Sequence, residues 1–189
     1  MKAMWAIVVG LVIVALLFVM VPISVKNGLI DKDEQVKEQW QQIETQLQRR
    51  ADLVPNLVAT VKGYASHEKE VFTAVADARA KLMAAKGPKD TAVASSLLGG
   101  SLGRLMAISE RYPELKANTN FIRLQDELAG TENRIATART RYNRVVKEYN
   151  AAIRKFPGSL FADGMGLKRA EGFEPPDAAA IQSAPKVQF

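Results

Sequence analysis

The 189-residue sequence contains no cysteine. Disulfide staples, thiolate metal centres and a cysteine nucleophile are thereby excluded. It contains one histidine, His67, which argues against a histidine-rich metal site or a Ser-His relay. Asp and Glu remain as ligands for hard cations. Strand-like alternation is missing too, so no phosphate loop or dinucleotide glycine fingerprint can follow a strand. A strong net charge is missing as well: 26 Lys and Arg against 20 Asp and Glu leave +6, too mild to argue for nucleic acid. The length gives room for one domain plus appendages.

What is present begins with an apolar run. Between Lys2 and Lys26 lie 23 residues without a charge, positions 3–25. As a helix they extend ~35 Å, enough for the ~30 Å hydrocarbon core of a bilayer. The run is longer than the core of a cleaved signal peptide, and no small-x-small cleavage site follows it. A retained transmembrane helix is expected, with Trp5 near one interface. Lys26, Lys32 and Lys37 follow the span and Lys2 precedes it, a bias that places the larger C-terminal part in the cytoplasm.

From about Asp33 to Lys86 apolar residues recur at alternating spacings of three and four. The stripe reads Val36, Trp40, Ile43, Leu47, then Val54, Leu57, Val61, Tyr64, then Val71, Val75, Ala78, Leu82. This is a helix-packing pattern, and a continuous helix here would be ~80 Å long. Gly87-Pro88 ends it. Pro55 predicts a kink, with Asp52 able to cap a restarted helix. Arg50 and Glu68 interrupt the stripe; either local twist turns them to solvent, or they form a buried or interfacial polar pair.

A shorter helix is expected over 90–111, weakened and open to splitting at Gly99-Gly100. Tyr112-Pro113 marks a turn. The cleanest pattern runs from Asn118 to Lys155 through Phe121, Leu124, Leu128, Ile135, Ala138, Tyr142, Val145, Tyr149 and Ala152. Asn118 or Thr119 can cap it, and Phe156-Pro157-Gly158 ends it. Residues 31–52 carry six acidic and four basic side chains, while 131–155 carry seven basic and two acidic, so an antiparallel pairing of those segments is complementary. In a plain up-down-up bundle the last helix would overshoot, and Trp40, Ile43 and Leu47 would lack an intrachain partner and seek another subunit. A fold-back at Gly99-Gly100 would relieve the mismatch.

The sequence therefore implies an all-α protein: an N-terminal transmembrane helix leading into an elongated, mainly antiparallel bundle of three to four long helices. The expected division is an anchor over 1–28, a helical bundle over 29–157 and a C-terminal tail over 158–189. In the tail Phe161, Met165, Leu167 and Phe173 are scattered among glycines, and residues after Glu174 read as disordered.

Chemistry is sparse. His67-Glu68 suggests a metal motif, but H-E-x-x-H needs a second histidine where the chain has Val71. Glu127 and Glu132 stand about 140° apart around a helix and do not converge. Asn133, Asn143 and Asn150 are candidates for hydrogen bonds across the bundle, with solvated surface as the alternative for each. No catalytic, cofactor-binding or metal-ligating residue is assigned. Arg49, Arg50, Asp52, His67, Glu68, Glu132, Asn133 and Arg134 make up the candidate interaction surface.

Several blocks in order resemble the LemA family: Trp40 through Gln46, Arg49-Arg50, Asp52-Leu53-Val54-Pro55-Asn56-Leu57-Val58, Val61-Lys62-Gly63-Tyr64-Ala65 and His67-Glu68. Tyr112-Pro113-Glu114-Leu115-Lys116-Ala117-Asn118, Thr131-Glu132-Asn133-Arg134-Ile135-Ala136, Ala138-Arg139, Tyr142-Asn143 and Tyr149-Asn150 continue the match to Phe156-Pro157. The resemblance spans about residues 28–175. The chain departs from it at Met165-Gly166-Leu167, where the family has an aromatic Phe-Gly-Phe-like element, while Phe173-Glu174 resembles the closing aromatic-acidic pair. The resemblance implies a bacterial inner-membrane protein with an N-terminal anchor and a helical, cytoplasmic body, related to a magnetosome-associated protein. It brings no established enzymatic activity and no cofactor. The expected partners are the lipid bilayer, further copies of the chain and a membrane protein, with no nucleic acid. The expected function is a membrane-anchored, self-assembling scaffold, with a regulatory or sensory partner of a membrane enzyme such as a protease as the alternative.

Overall fold

Pro55 sits in the middle of a helix that does not break. In the computed structural model, which describes residues 2–174, the first helix, α1, runs Lys2–Lys62. The side chains at 2–4, 6–8, 12, 14, 15 and 17 lie outside the description, and so does the tail after Glu174 that the sequence marks as disordered. Helices α2 (Lys69–Ala84), α3 (Gly87–Ser109), a single turn α4 (Pro113–Lys116), α5 (Thr119–Ala152) and a second single turn α6 (Ser159–Ala162) follow, then a 3-10 turn at Asp163–Met165. Among the described residues there is no strand.

Two expectations about α1 are corrected. A proline leaves the carbonyl four residues back without its helical donor, here that of Ala51. Arg79 on α2 supplies the missing bond, its Nε donating to the Ala51 oxygen at 2.8 Å. The helix therefore has no need to restart at Asp52, which stays exposed and accepts a bond from Gln48 at 2.8 Å. The real break lies further on, at residues 63–68. Gly63 is a poor helix former. Beyond it the amides of Tyr64 and Ala65 both turn back to the Val61 carbonyl, and Lys69 N–H donates to His67. Ala65 is buried in this turn. The seam position held by Glu68 is thus a helix boundary rather than a polar step in one long stripe.

The chain divides into two compact units. The second comprises 39–143 with 171–189, and its described part contains four long helical segments and the single turn α4. Lys62 lies over the Phe72 ring at 5.4 Å and Arg79 reaches Ala51, so α2 runs back along α1. Pro88 near the start of α3 and Gly87 with φ +73° form the next corner; the left-handed backbone there suits glycine. Then α3 runs with α1, since Gly99 lies beside Arg50 and Arg111, just beyond α3, pairs with Glu68 at 2.7 Å. Finally α5 runs against α1: Asn118 bonds Tyr64 at 2.9 Å, Glu132 pairs with Arg50, and the Tyr142 ring packs tilted against Trp40 at 5.4 Å. The result is an up-down-up-down bundle with short connections.

This also resolves the length mismatch. The α1 portion 39–62, α3, and the α5 portion 119–143 each span ~35–38 Å at the helical rise. The fold-back occurs at Gly63–Glu68, and α3 is continuous across Gly99-Gly100. Ile43, Leu47, Val54, Leu57, Val61, Val75, Leu98, Leu105, Phe121, Leu128 and Tyr142 fill the core. Ile43 and Leu47 are buried within the chain, and Trp40 packs tilted against Tyr142 and, at 6.0 Å, against Phe173. The missing intrachain partner on which self-association was expected is present. Helix α3 is long and apolar enough by composition to cross a membrane, yet its Leu98, Leu102, Leu105 and Ile108 are buried in this unit.

The first unit comprises 1–38 with 144–170. Leu29 and Val36 of α1, Val146, Tyr149 and Ile153 of α5, and Ala162 of α6 are buried. Lys26 lies over the Phe161 ring at 5.6 Å and Lys32 approaches Glu148 at 3.9 Å. Gly158 is held tightly: a Cβ there would stand 2.2 Å from the Ala152 carbonyl oxygen. In the same unit Trp5, Leu11, Leu16, Phe18, Met20 and Ile23 of this run are exposed.

Candidate functional site

Arg50 belongs to the packing seam by spacing, seven residues after Ile43 and seven before Leu57. The seam is not displaced at Pro55, because the helix is continuous, so Arg50 is carried into the bundle and is only 8% exposed. A buried guanidinium needs compensation. Its Nη1 meets Glu132 Oε2 of α5 at 2.5 Å, and the Glu132 side chain remains 57% exposed. The Arg50 Nε is buried without a hydrogen-bond partner, and Nη2 packs over Gly99 of α3.

Around this pair is an open cleft of about 440 Å³, lined by Arg50, by Ala92, Ser95, Ser96, Gly99 and Gly100 of α3, by Glu132, Ile135, Ala136 and Arg139 of α5, and by Phe173. Small residues on α3 keep its floor low, while Ile135 and Phe173 make part of the wall apolar. Among the described residues Arg139 forms no ion pair within 4.0 Å.

Of the eight candidate surface residues, the structure brings only Arg50 and Glu132 together. Arg50 and Glu68 do not form a pair with each other; Glu68 belongs to the turn after α1 and bonds Arg111. Arg49, Asp52, His67, Asn133 and Arg134 are exposed. Among the described residues no group of three or more His, Asp or Glu side chains is placed to hold a metal.

A second arrangement was barely legible in advance. In the second unit the amide of Asn143 donates to the Phe173 carbonyl at 3.0 Å and accepts from the Phe173 N–H at 2.9 Å. Beside it the Tyr142 hydroxyl donates to the Glu171 carbonyl at 2.7 Å. In the first unit Asn150 makes the same two-way bond to Ala170, at 2.9 Å each way, and the Tyr149 hydroxyl donates to the Lys168 carbonyl at 2.9 Å. A carboxamide used in this way replaces a strand neighbour for an extended backbone. Burial, and secondarily the Glu171 carboxylate, push the Tyr142 hydroxyl up to about 12; burial and then Asp33 raise Tyr149. Both phenols therefore remain donors at neutral pH. The available signal was the Tyr-Asn dipeptide repeated one heptad apart.

The family model described as the LemA family matches residues 39–189. The chain belongs to the LemA family. Among relatives, it is 29% identical over 174 residues to magnetosome protein MamQ 2 of Paramagnetospirillum magneticum, covering 78% of this chain and 64% of that protein. Magnetosome protein MamQ of Magnetospirillum gryphiswaldense is also 29% identical, over 173 residues, with the same coverage. Protein LemA of Metamycoplasma hominis is 23% identical over 159 residues, covering 84% of this chain and 73% of that protein. The chain thus spans just under two thirds of the length of the MamQ relatives. In this LemA-family chain the blocks around Arg50, Glu132, Arg139 and Phe173, far apart in sequence, meet at one cleft.

Proposed function

We propose that the chain is a membrane-anchored helical scaffold or interaction protein of the LemA type, self-assembling and without a reaction of its own. The observation that carries this is the apolar surface of α1. Trp5, Leu11, Leu16, Phe18 and Ile23 are each at least half exposed, Phe18 at 82%. Burying such a side chain is favourable by roughly 1.5–3 kcal/mol, so these five alone supply on the order of 10 kcal/mol towards retention in a bilayer. The lysines that follow the run support an inner-membrane protein with its bulk in the cytoplasm. Val93 and Leu97, one turn apart on α3, remain exposed and offer an apolar patch for a second copy. Alkaline carbonate washing of membranes is expected to leave the chain in the pellet; release into the supernatant would overturn the anchor. A reporter fused after Phe189 is expected to be active in the cytoplasm. Native mass spectrometry from nanodiscs is expected to give oligomers, and monomers alone would remove self-assembly.

The second reading is a regulatory or sensory partner of a membrane enzyme such as a protease. It is favoured by the exposed polar groups Arg49, Asp52, Asn133 and Arg134 next to the Arg50–Glu132 pair, and by His67 and Glu68 at the turn. Affinity capture from nanodiscs separates the two: a fixed stoichiometric foreign protein supports the regulator, and recovery of the chain alone supports the scaffold.

A further inference from the structure

The cleft at Arg50 carries more positive charge than it neutralises. Three ionisable side chains line it, Arg50, Arg139 and Glu132, and the Glu132 carboxylate is already engaged by Arg50 Nη1. One guanidinium charge is left over. Arg50 itself is poorly satisfied for a cation only 8% exposed, with its Nε unpartnered and its one carboxylate half in solvent. A buried ion pair repays its desolvation only when further hydrogen bonds satisfy the remaining donors. Ser95 and Ser96 line the same space, and a serine hydroxyl can donate to an anion. Ala92, Gly99, Gly100 and Ala136 leave it unfilled, and Ile135 and Phe173 supply apolar wall. At about 440 Å³ it lies in the range of small-molecule sites, which are mostly apolar with a few fixed polar groups.

We infer that this cleft binds a small organic carboxylate: one carboxyl group held by Arg139 and the Arg50 side, with an apolar body against Ile135 and Phe173. A single negative charge matches the surplus, whereas a doubly charged phosphate exceeds it. The inference concerns the helical body alone and stands whether or not α1 is in a membrane.

The test titrates the full chain, in nanodiscs of zwitterionic lipid, with acetate, octanoate and 3-phenylpropionate by calorimetry. The neutral alcohols octanol and 3-phenylpropanol serve as isosteres. Saturable binding of octanoate or 3-phenylpropionate, tighter than that of the matching alcohol by about tenfold or more, is expected for a charge-assisted bond. Arg139→Gln, at a residue whose loss leaves the Arg50–Glu132 pair in place, should weaken the acid by about tenfold and leave the alcohol unchanged. Circular dichroism checks that this variant remains folded. Glu132→Gln should tighten the acid by adding surplus positive charge. Absence of saturable binding by all three acids at ~10 mM, a typical weak-binding limit, overturns the inference. Equal affinity for acid and alcohol overturns it too, as does acid binding indifferent to Arg139→Gln.

Discussion

Asn150→Ala removes both halves of a paired bond at once. The amide loses its donation to the Ala170 carbonyl, and the Ala170 N–H loses its acceptor. Each such bond contributes about 1 kcal/mol net, so the segment around Ala170 should open more easily by about 2 kcal/mol. With RT near 0.59 kcal/mol, the open population rises ~30-fold. Lys168 and Arg169, just before Ala170, are exposed and offer trypsin two cleavage points once the backbone lifts away. Where closing is fast relative to cutting, cleavage tracks the open population, so the rate after Lys168 and Arg169 should rise ~30-fold at unchanged helical circular dichroism. Tyr149→Phe removes one bond, to the Lys168 carbonyl, and should raise the rate only ~5-fold, the equivalent of about 1 kcal/mol. A rate for Asn150→Ala within about twofold of the parent chain, well below the ~30-fold expected, would refute the two-way clamp as the restraint on this segment.

Arg79→Leu leaves the Ala51 carbonyl without a donor and should cost about 1.5–3 kcal/mol in urea unfolding. In a Pro55→Ala background the helix regains its own amide at position 55, and the same substitution should cost at least ~1 kcal/mol less; additive losses in the double-mutant cycle would deny the coupling. Gly158→Ala drives a methyl group to 2.2 Å from the Ala152 carbonyl oxygen, and a loss of ~1–3 kcal/mol is expected, read as a fall in thermal midpoint. Alkali should loosen the fold in a defined window. Tyr142 titrates at about 12 when folded and near ~10 when unfolded, so its contribution is complete below pH ~10 and is lost as pH climbs towards 12. Tyr142→Phe should flatten the fall in urea midpoint over that interval, and an unchanged slope would remove Tyr142 as its source.

The residues Ile43, Leu47, Val54, Leu57 and Val61 could be assigned to a core from spacing alone, because a helix places every third or fourth side chain on one face whatever it packs against. The same holds for Asn118 as the cap of α5, whose side chain accepts from the Phe121 N–H at 3.1 Å; capping is a local matter of one turn. The apolar run before Lys26, the all-α class and the complementarity of α1 with α5 are likewise properties of stretches read singly or in pairs. The turn at Gly63–Glu68 was not legible, because the spacing of the stripe continues through Val71 and nothing local outweighs it. Its fixing contacts, Asn118 with Tyr64 and Arg111 with Glu68, come from more than 40 residues away.

Pro55 and Arg50 mark the same division. A proline dictates that the Ala51 carbonyl loses its helical donor, which is covalent fact and independent of the fold. Whether the helix then breaks or continues depends on a donor from elsewhere, and Arg79 on α2 is within reach only because the chain reverses after Lys62. Spacing puts position 50 on the packing stripe but leaves open a local twist that turns it to solvent; the structure buries it. That the face there holds an ion pair with Glu132, and opens into a cleft with a second guanidinium, required α3 and α5 to bring Gly99 and Arg139 alongside. Periodicity determines which side of a helix is buried; it carries no information about which distant side chain will stand opposite, since that is a property of how all four helices close together.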